Sequence, residues 1–268
     1  MIRTITERLI PPAILKRIER APITPFEQGL IWLTVGWVLS LIGLPILKAV
    51  LGEGALPIGV SGGVLLQAMT IWAILVWTWG TRRAVLVSAI LLIGAWGIEY
   101  IGHTTGFPFG SYAYTDRLQP QLGGVPLLIP LAWLIMLPSA WAVARRIAQH
   151  EVPFVLVSAL AFTVWDLFLD PQMVGWNLWT WAQPSGYFGI PVTNFVGWLI
   201  TSALLTALAS KLAPLRELPS RPLITLYAIT WALEVIGQVS VWGLPGSGLV
   251  GGAAMGLLLL WALKSRPL

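Results

Sequence analysis

Apolar segments long enough to cross a lipid bilayer follow one another along almost the whole chain. They cover about residues 27–47, 62–80, 84–102, 125–144, 153–170, 190–210, 222–242 and 246–263. A spanning helix needs about 17–25 predominantly apolar residues. Only 10% of the residues are charged, whereas soluble domains carry about 25%. The sequence therefore predicts an all-α polytopic membrane protein, with about eight transmembrane helices in a single domain over residues 26–264.

Basic residues lie almost entirely on one side of these segments. When Lys and Arg are counted in alternate gaps, fourteen of the 16 fall on one side, and only Lys48 and Arg117 fall on the other. Cytoplasmic loops carry such an excess, so we predict an integral protein of the cell (inner) membrane with both termini in the cytoplasm. The net charge of +5 then reflects topology, and we expect the lipid bilayer, but no nucleic acid, as a partner.

The first 25 residues form a basic segment that lacks the pattern of a cleavable signal peptide. Within it, "ILKRIERA" (14–21) mixes apolar and basic residues at helical spacing. This mixture predicts an amphipathic cytoplasmic helix on the inner leaflet, although ordinary positive-inside charge explains it equally well.

Three outward-running segments carry acidic residues, and each is followed by an outer loop and a Gly-x-Pro motif. The motifs are "GVP" (124–126), "GIP" (189–191) and "GLP" (243–245). In the first two, a tryptophan follows seven residues after the proline, at Trp133 and Trp198. The pattern fits three similar helix starts with proline in the first turn, and it equally fits a repeated helical hairpin.

Two of the outer loops are long and rich in aromatic residues, glycine and proline. They are "GHTTGFPFGSYAYTDRLQPQLGG" (102–124) and "PQMVGWNLWTWAQPSGYFG" (171–189). Loops of this length in a compact protein are usually functional or disordered, and the aromatic content argues against disorder. We expect both loops to fold back over the outer end of the helix bundle.

Acidic residues within the apolar segments mark a candidate site. Asp166 and Asp170 are four residues apart, as are Glu99 and His103, so each pair shares one helix face. A charged side chain at the bilayer centre costs at least about 2.5 kcal/mol, so such residues are usually functional. Both pairs lie toward the outer ends of their helices. Asp170 precedes Pro171, which predicts that it lies at a helix end.

Acid–base chemistry is the simplest use of such carboxyl groups. An apolar environment and a neighbouring carboxylate both favour the neutral form of a carboxyl group. A neutral acid facing a cavity can donate a proton, and an ionised partner that shares one proton with it can accept one.

Each candidate residue also has a structural explanation. Asp166 could bond a neighbouring helix, Glu234 could form an interhelical hydrogen bond, and Asn194 could join helices. Tyr112, Tyr114, Tyr187 and most of the 16 tryptophans could form an interfacial aromatic belt. His103 could serve as a ligand, as an orienting group or as an interface residue.

The residue inventory excludes several other chemistries. The chain has no cysteine and two histidines, of which His150 lies in a predicted cytoplasmic loop. Thiolate metal sites, iron–sulfur clusters and a histidine-rich oxygenase centre are therefore excluded, and the acids with one histidine would make a poor metal site. Phosphate-binding and dinucleotide-binding motifs are missing. We therefore expect no metal and no cofactor.

Two stretches carry a resemblance to a known family. They are "EYIGHTTGFPFGSYAYTDRLQPQLGGVPLLIPLAW" (99–133) and "WDLFLDPQMVGWNLWTW…YFGIPVTNFVGW" (165–198). Over about residues 95–200 the chain resembles the membrane carotenoid-biosynthesis family, which includes carotenoid 1,2-hydratases acting on γ-carotene or lycopene ends and bisanhydrobacterioruberin hydratase. The resemblance implies cofactor-independent hydration of a terminal isoprene double bond, with lycopene, γ-carotene or a similar carotenoid as substrate and other enzymes of the pathway as partners.

Hydration assigns roles to the candidate residues. An acid protonates C2 of the 1,2 double bond, aromatic faces stabilise the cation at C1, and water adds as a base takes its proton. The candidate catalytic residues are Asp166, Asp170 and Glu99, with the division of roles left open. The candidate substrate-binding residues are His103, Tyr112, Tyr114, Trp165, Trp176, Tyr187 and Asn194.

Two other functions remain compatible with the sequence. A proton-coupled transporter would place its acids at mid-membrane with access from both sides. A non-catalytic carotenoid-binding protein would keep its pigment after loss of every acid.

Overall fold

The computed structural model describes residues 23–265, and long helices dominate it. They are α1 (Pro25–Leu51), α2 (Ala55–Thr105), α3 (Leu128–Ile147), α4 (Glu151–Gly175), α5 (Val192–Ser210), α6 (Ser220–Ser240) and α7 (Pro245–Lys264). Each of these seven helices is long and apolar enough to cross a membrane. The prediction of an all-α polytopic membrane protein is confirmed, while the predicted amphipathic helix at 14–21 lies outside the described residues.

Helix α2 accounts for two of the eight predicted segments. Its 51 residues would extend about 76 Å at 1.5 Å per residue, more than twice the ~30 Å hydrocarbon core. Gly80 interrupts it with φ 75° and ψ 163°. This conformation is not helical, and glycine adopts it readily because it has no Cβ. The two halves, 55–79 and 81–105, are each of spanning length, and Arg82 and Arg83 follow the break.

The Gly-x-Pro motifs begin helices in two of three cases. Pro245 is in the first turn of α7, and Pro191 is the N-cap residue of α5. Pro126 instead lies in strand β3 (Val125–Pro126), which pairs with β2 (Gln121–Leu122). The predicted helix start at Pro126 is therefore wrong. Gly123 and Gly124, with φ values of 61° and 80°, form the two-residue turn of this hairpin.

Helix α4 continues past the predicted end at Asp170. It includes Pro171 and ends at Gly175, so the prediction that Asp170 lies at a helix end is wrong. Pro171 cannot donate a hydrogen bond to the carbonyl of Leu167. The phenol of Tyr187 donates to that carbonyl instead, at 3.0 Å, so the helix continues without leaving the group unsatisfied.

The two aromatic loops, at 102–124 and 171–189, pair with each other through short strands. Strand β1 (Tyr112–Tyr114) pairs antiparallel with β4 (Trp179–Trp181), with Tyr112 opposite Trp181 and Tyr114 opposite Trp179. Arg117 fastens the same region, because its guanidinium group donates to the carbonyls of Trp176 and Glu53, both at 2.7 Å. The β1–β4 ribbon thus connects the end of α2 with the end of α4.

Helix α3 occupies the centre of the bundle. Most of its side chains are buried, and it packs against α2, α4, α6 and α7. The helices at the periphery of the bundle instead expose large apolar side chains such as Leu39, Ile58 and Leu204, as expected for surfaces that contact lipid.

Candidate active site

A cavity of about 130 Å³ lies between the helix bundle and the β1–β4 ribbon. Aromatic and aliphatic side chains form most of its wall. The polar side chains that line it are Gln67, Glu99, Tyr112, Tyr114, Asp170, Gln172, Asn194, Thr230 and Glu234. An apolar cavity with a few convergent polar groups is the usual form of a small-molecule site.

Asp166 and Asp170 form a buried pair that is held by one amide group. Asn194 of α5 donates to Oδ2 of Asp166 at 2.8 Å and to Oδ2 of Asp170 at 2.5 Å. The indole of Trp179 donates to Oδ1 of Asp170 at 2.9 Å. Asp170 lines the cavity, whereas Asp166 is fully buried away from it and its Oδ1 has no partner among the described residues.

Glu99 is held by two phenols from the ribbon. The hydroxyls of Tyr112 and Tyr114 donate to its Oε2 at 2.6 and 2.7 Å. Both tyrosines reach one carboxyl group because residues two apart on a strand point to the same face. Burial and the neighbouring Glu99 raise the pKa of Tyr112 and of Tyr114 above the ordinary value. Both phenols therefore remain protonated donors to Oε2 of Glu99, and Glu99 lines the cavity.

Aromatic rings surround the space beside these acids. The ring centroids of Trp133 and Trp198 are 4.9 Å apart, and Phe162 stacks on Trp198 at 5.1 Å. Trp165 packs edge-on against Trp198. The indole N–H groups of Trp133 and Trp165 have no partner among residues 23–265. The site therefore offers aromatic faces together with unused hydrogen-bond donors.

Seven of the ten predicted site residues line the cavity. They are Glu99, Tyr112, Tyr114, Trp165, Asp170, Trp176 and Asn194. Asp166 touches the site only through Asn194 and Asp170. His103 packs against the rings of Tyr112 and Tyr114 outside the cavity lining. Tyr187 also lies outside it, where its hydroxyl supports α4.

Several lining residues were not predicted as site residues. Trp179 belongs to an aromatic loop, but nothing local to it indicates a hydrogen bond with Asp170. The sequence signal for Trp133 and Trp198 was their equal spacing of seven residues after a proline. Glu234 was assigned a structural bond. Gln238 does donate to its Oε2 at 3.3 Å, but this bond lies within α6, and Glu234 also lines the cavity.

The acidic side chains do not form a metal-binding cluster in the part of the chain that the structure describes. Within it, no group of three or more His, Asp or Glu side chains is arranged to hold a metal ion. Glu99 and the aspartate pair are instead held separately, by phenols and by an amide with an indole.

Comparison with known proteins gives the family. The family described as "Carotenoid biosynthesis protein" matches residues 60–263. Over 133 residues the chain is 32% identical to bisanhydrobacterioruberin hydratase of Haloarcula japonica, and this match covers 47% of the chain and 45% of that protein. The chain thus spans about half the length of the curated relative. No solved structure matches. Since the family match extends from α2 to α7 and includes every acid of the site, the chain belongs to the carotenoid biosynthesis protein family.

Proposed function

We propose that this protein hydrates the terminal 1,2 double bond of an acyclic carotenoid end group and releases a 1-hydroxy carotenoid without a cofactor. The observation that carries the proposal is the aromatic cavity into which both Asp170 and Glu99 face. A proton donor and a proton acceptor on one apolar cavity are what addition of water to an isolated double bond requires. The family description supports a carotenoid substrate, and the name of the relative supports hydration as the class of reaction.

Asp170 is the proton donor in this proposal because it is the member of the aspartate pair that lines the cavity. Its proton bonds to C2 with the electron pair of the double bond, which leaves a tertiary cation at C1. The N–H groups of Asn194 and Trp179 already point at its two oxygens. They stabilise the carboxylate that remains, since hydrogen bonds to a charged acceptor are about twice as strong as neutral ones. Asp166 accepts from the same amide of Asn194 and thereby positions Asn194 and Asp170.

Aromatic rings stabilise the carbon cation. Trp133, Trp165 and Trp198 line the cavity beside Asp170. A cation over an aromatic face gains about 0.5–2 kcal/mol, and most when water is excluded. Among residues 23–265 no basic side chain lines the cavity, which removes a source of repulsion for the cation.

Glu99 accepts the proton of the attacking water. Its Oε2 is occupied by two phenols, so Oε1 binds the water and directs its oxygen to C1. The C–O bond forms as the water proton moves to Oε1. That proton returns to Asp170 through water, so one cycle consumes one water molecule and leaves both carboxyl groups as they began.

Analysis of pigments from a lycopene-producing host tests the reaction. We expect cells that express the protein to accumulate carotenoids heavier by one water per hydrated end. In cell membranes supplied with oxygen-labelled water under anaerobic conditions, the new hydroxyl should carry the label. Oxygen that comes from dioxygen instead would contradict hydration. Unaltered pigment that is merely retained by the purified protein would favour a carotenoid-binding function.

We also propose that the site opens toward the outer side of the cell membrane and that both termini are cytoplasmic. The charge asymmetry of the sequence supports this orientation. Gln119 is exposed on the ribbon side of the bundle, and the chain has no cysteine of its own. A Gln119→Cys variant should react with a membrane-impermeant thiol reagent added outside intact spheroplasts. Reaction only after the membrane is opened would reverse the topology.

A further inference from the structure

A second cavity, of about 200 Å³, lies between α1 and α6 and adjoins the candidate active site. Five side chains line both cavities: Leu41, Leu44, Gln172, Thr230 and Glu234. The cavity that Asp170 lines is therefore adjacent to the space between these two helices. We call the second cavity the α1–α6 groove and define it by Leu41, Ile42, Leu44, Leu233 and Ile236.

The α1–α6 groove reaches the surface that faces lipid. Ile42 and Ile236 line it and are 52% and 59% exposed, although both lie in spanning helices. The walls that the active-site cavity receives from α3, α4 and the ribbon are mostly buried, as at Trp133, Met173 and Trp179. A path from the active-site cavity that passes between α1 and α6 thus ends at exposed apolar side chains.

We propose that the α1–α6 groove holds the polyene chain of the substrate and is the route by which its end group enters the site from the bilayer. This inference rests on the proposed function. A linear apolar molecule as long as the membrane is thick cannot be enclosed by the active-site cavity when one end lies at Asp170. The rest of it has to leave through a mainly apolar opening. Most side chains that line the groove are apolar, and its polar ones, Gln172, Thr230 and Glu234, also line the active-site cavity.

Groove-filling variants test the proposal with two substrates. Leu233→Trp and Ile236→Trp place an indole in the groove without altering a residue that lines the active-site cavity. Leu204→Trp, on the exposed face of α5, is the matched control because Leu204 lines neither cavity. The substrates are a full-length acyclic carotene and a short acyclic isoprenoid hydrocarbon with the same terminal double bond, both presented in nanodiscs.

We expect the groove variants to lose at least about tenfold in kcat/KM for the long substrate, because an overfilled site no longer admits it. Turnover of the short compound should change less than about twofold, and the control should resemble the wild type for both. Equal losses for the two substrates in both groove variants, or no loss for either, would overturn the proposal. Thermal midpoints identify a variant that fails to fold, in which case the other variant decides.

A binding measurement separates failure of the groove from failure of the proposed reaction. Titration of each variant with the long carotene, followed by quenching of tryptophan fluorescence, gives its dissociation constant. We expect at least about tenfold weaker binding in Leu233→Trp than in Leu204→Trp, whether or not the wild type turns over. If the wild type binds the carotene but does not hydrate it, the proposed reaction is wrong. The dissociation constants alone then decide whether the groove holds the polyene chain. Binding that is equal in both variants, or absent from the wild type, overturns the groove.

Discussion

Replacement of Asp170 by asparagine should cost both activity and stability, and the hydrogen bonds of the site explain why. The two oxygens of Asp170 each accept an N–H group, one from Trp179 at 2.9 Å and one from Asn194 at 2.5 Å. A protonated carboxyl group can still accept at its hydroxyl oxygen, but an amide NH2 group cannot accept at all. In Asp170→Asn the new NH2 group therefore faces an N–H donor, either that of Trp179 or that of Asn194.

The magnitudes follow from these contacts. An unsatisfied buried donor costs about 1–3 kcal/mol, and each kcal/mol shifts the melting temperature of a chain of this size by about 2–4 °C. Loss of a positioned general acid should lower kcat by at least about 10²-fold. Asp166→Asn should be less destabilising, because Oδ1 of Asp166 has no partner to lose within residues 23–265. It should still lower activity, because the carboxyl pair can no longer share a proton.

Purified variants in nanodiscs, assayed for turnover and for thermal midpoint, test this prediction. The double variant Asp170→Asn with Asn194→Asp is a partial control. It restores one carboxyl and one amide across the contact between positions 170 and 194, but it removes the amide that donates to Oδ2 of Asp166. It should recover only part of the lost stability and not the full activity. An Asp170→Asn protein that keeps more than about a tenth of wild-type kcat would refute its assignment as the acid. A variant as stable as the wild type would refute the hydrogen-bond argument.

Two further predictions concern Glu99 and Glu234. Burial raises the pKa of Tyr112 and Tyr114 in the folded protein, so the folded state holds their protons at a pH where the unfolded chain has released them. The contribution of these two tyrosines to stability should therefore be constant below about pH 10 and should fall above it by up to about 1.4 kcal/mol per pH unit and tyrosine. A Tyr112→Phe and Tyr114→Phe double variant should show a shallower loss in alkaline denaturation monitored by circular dichroism, and an unchanged slope would contradict the prediction. Glu234→Gln should keep the hydrogen bond with Gln238, which is 3.3 Å long in the wild type, and should reduce kcat by less than about tenfold; a loss as large as that of Asp170→Asn would make Glu234 part of the chemistry.

The membrane spans could be predicted from the sequence because hydrophobicity over about twenty residues is a local property. The same holds for the helix faces, since Asp166 and Asp170 are one turn apart wherever the helix lies. The end of α4 was mispredicted for a reason that is not local. Pro171 is tolerated inside the helix because Tyr187, 20 residues from Leu167, satisfies the carbonyl that the proline leaves free.

The composition of the site could be predicted only in part, because its walls come from distant parts of the chain. The hydrogen bond between Trp179 and Asp170 depends on a strand pairing between residues 112–114 and 179–181. Neither strand is long enough to show a periodic pattern. His103 shares a helix face with Glu99, yet it packs against the rings of Tyr112 and Tyr114 and does not line the cavity. Sequence spacing gives the face of a helix but not its neighbours.

The β1–β4 ribbon has a consequence for how accurately the two acids are spaced. Tyr112 and Tyr114 on one strand hold Glu99, while Trp179 on the other strand holds Asp170. Adjacent strands are about 4.8 Å apart, so the paired backbones add a constraint on the separation of the two carboxyl groups beyond the packing of α2 and α4. A single inserted residue in either strand would turn its aromatic side chains to the opposite face. Insertion tolerance along the two outer loops should therefore fall sharply at these six paired positions, while the exposed loop tips accept added residues.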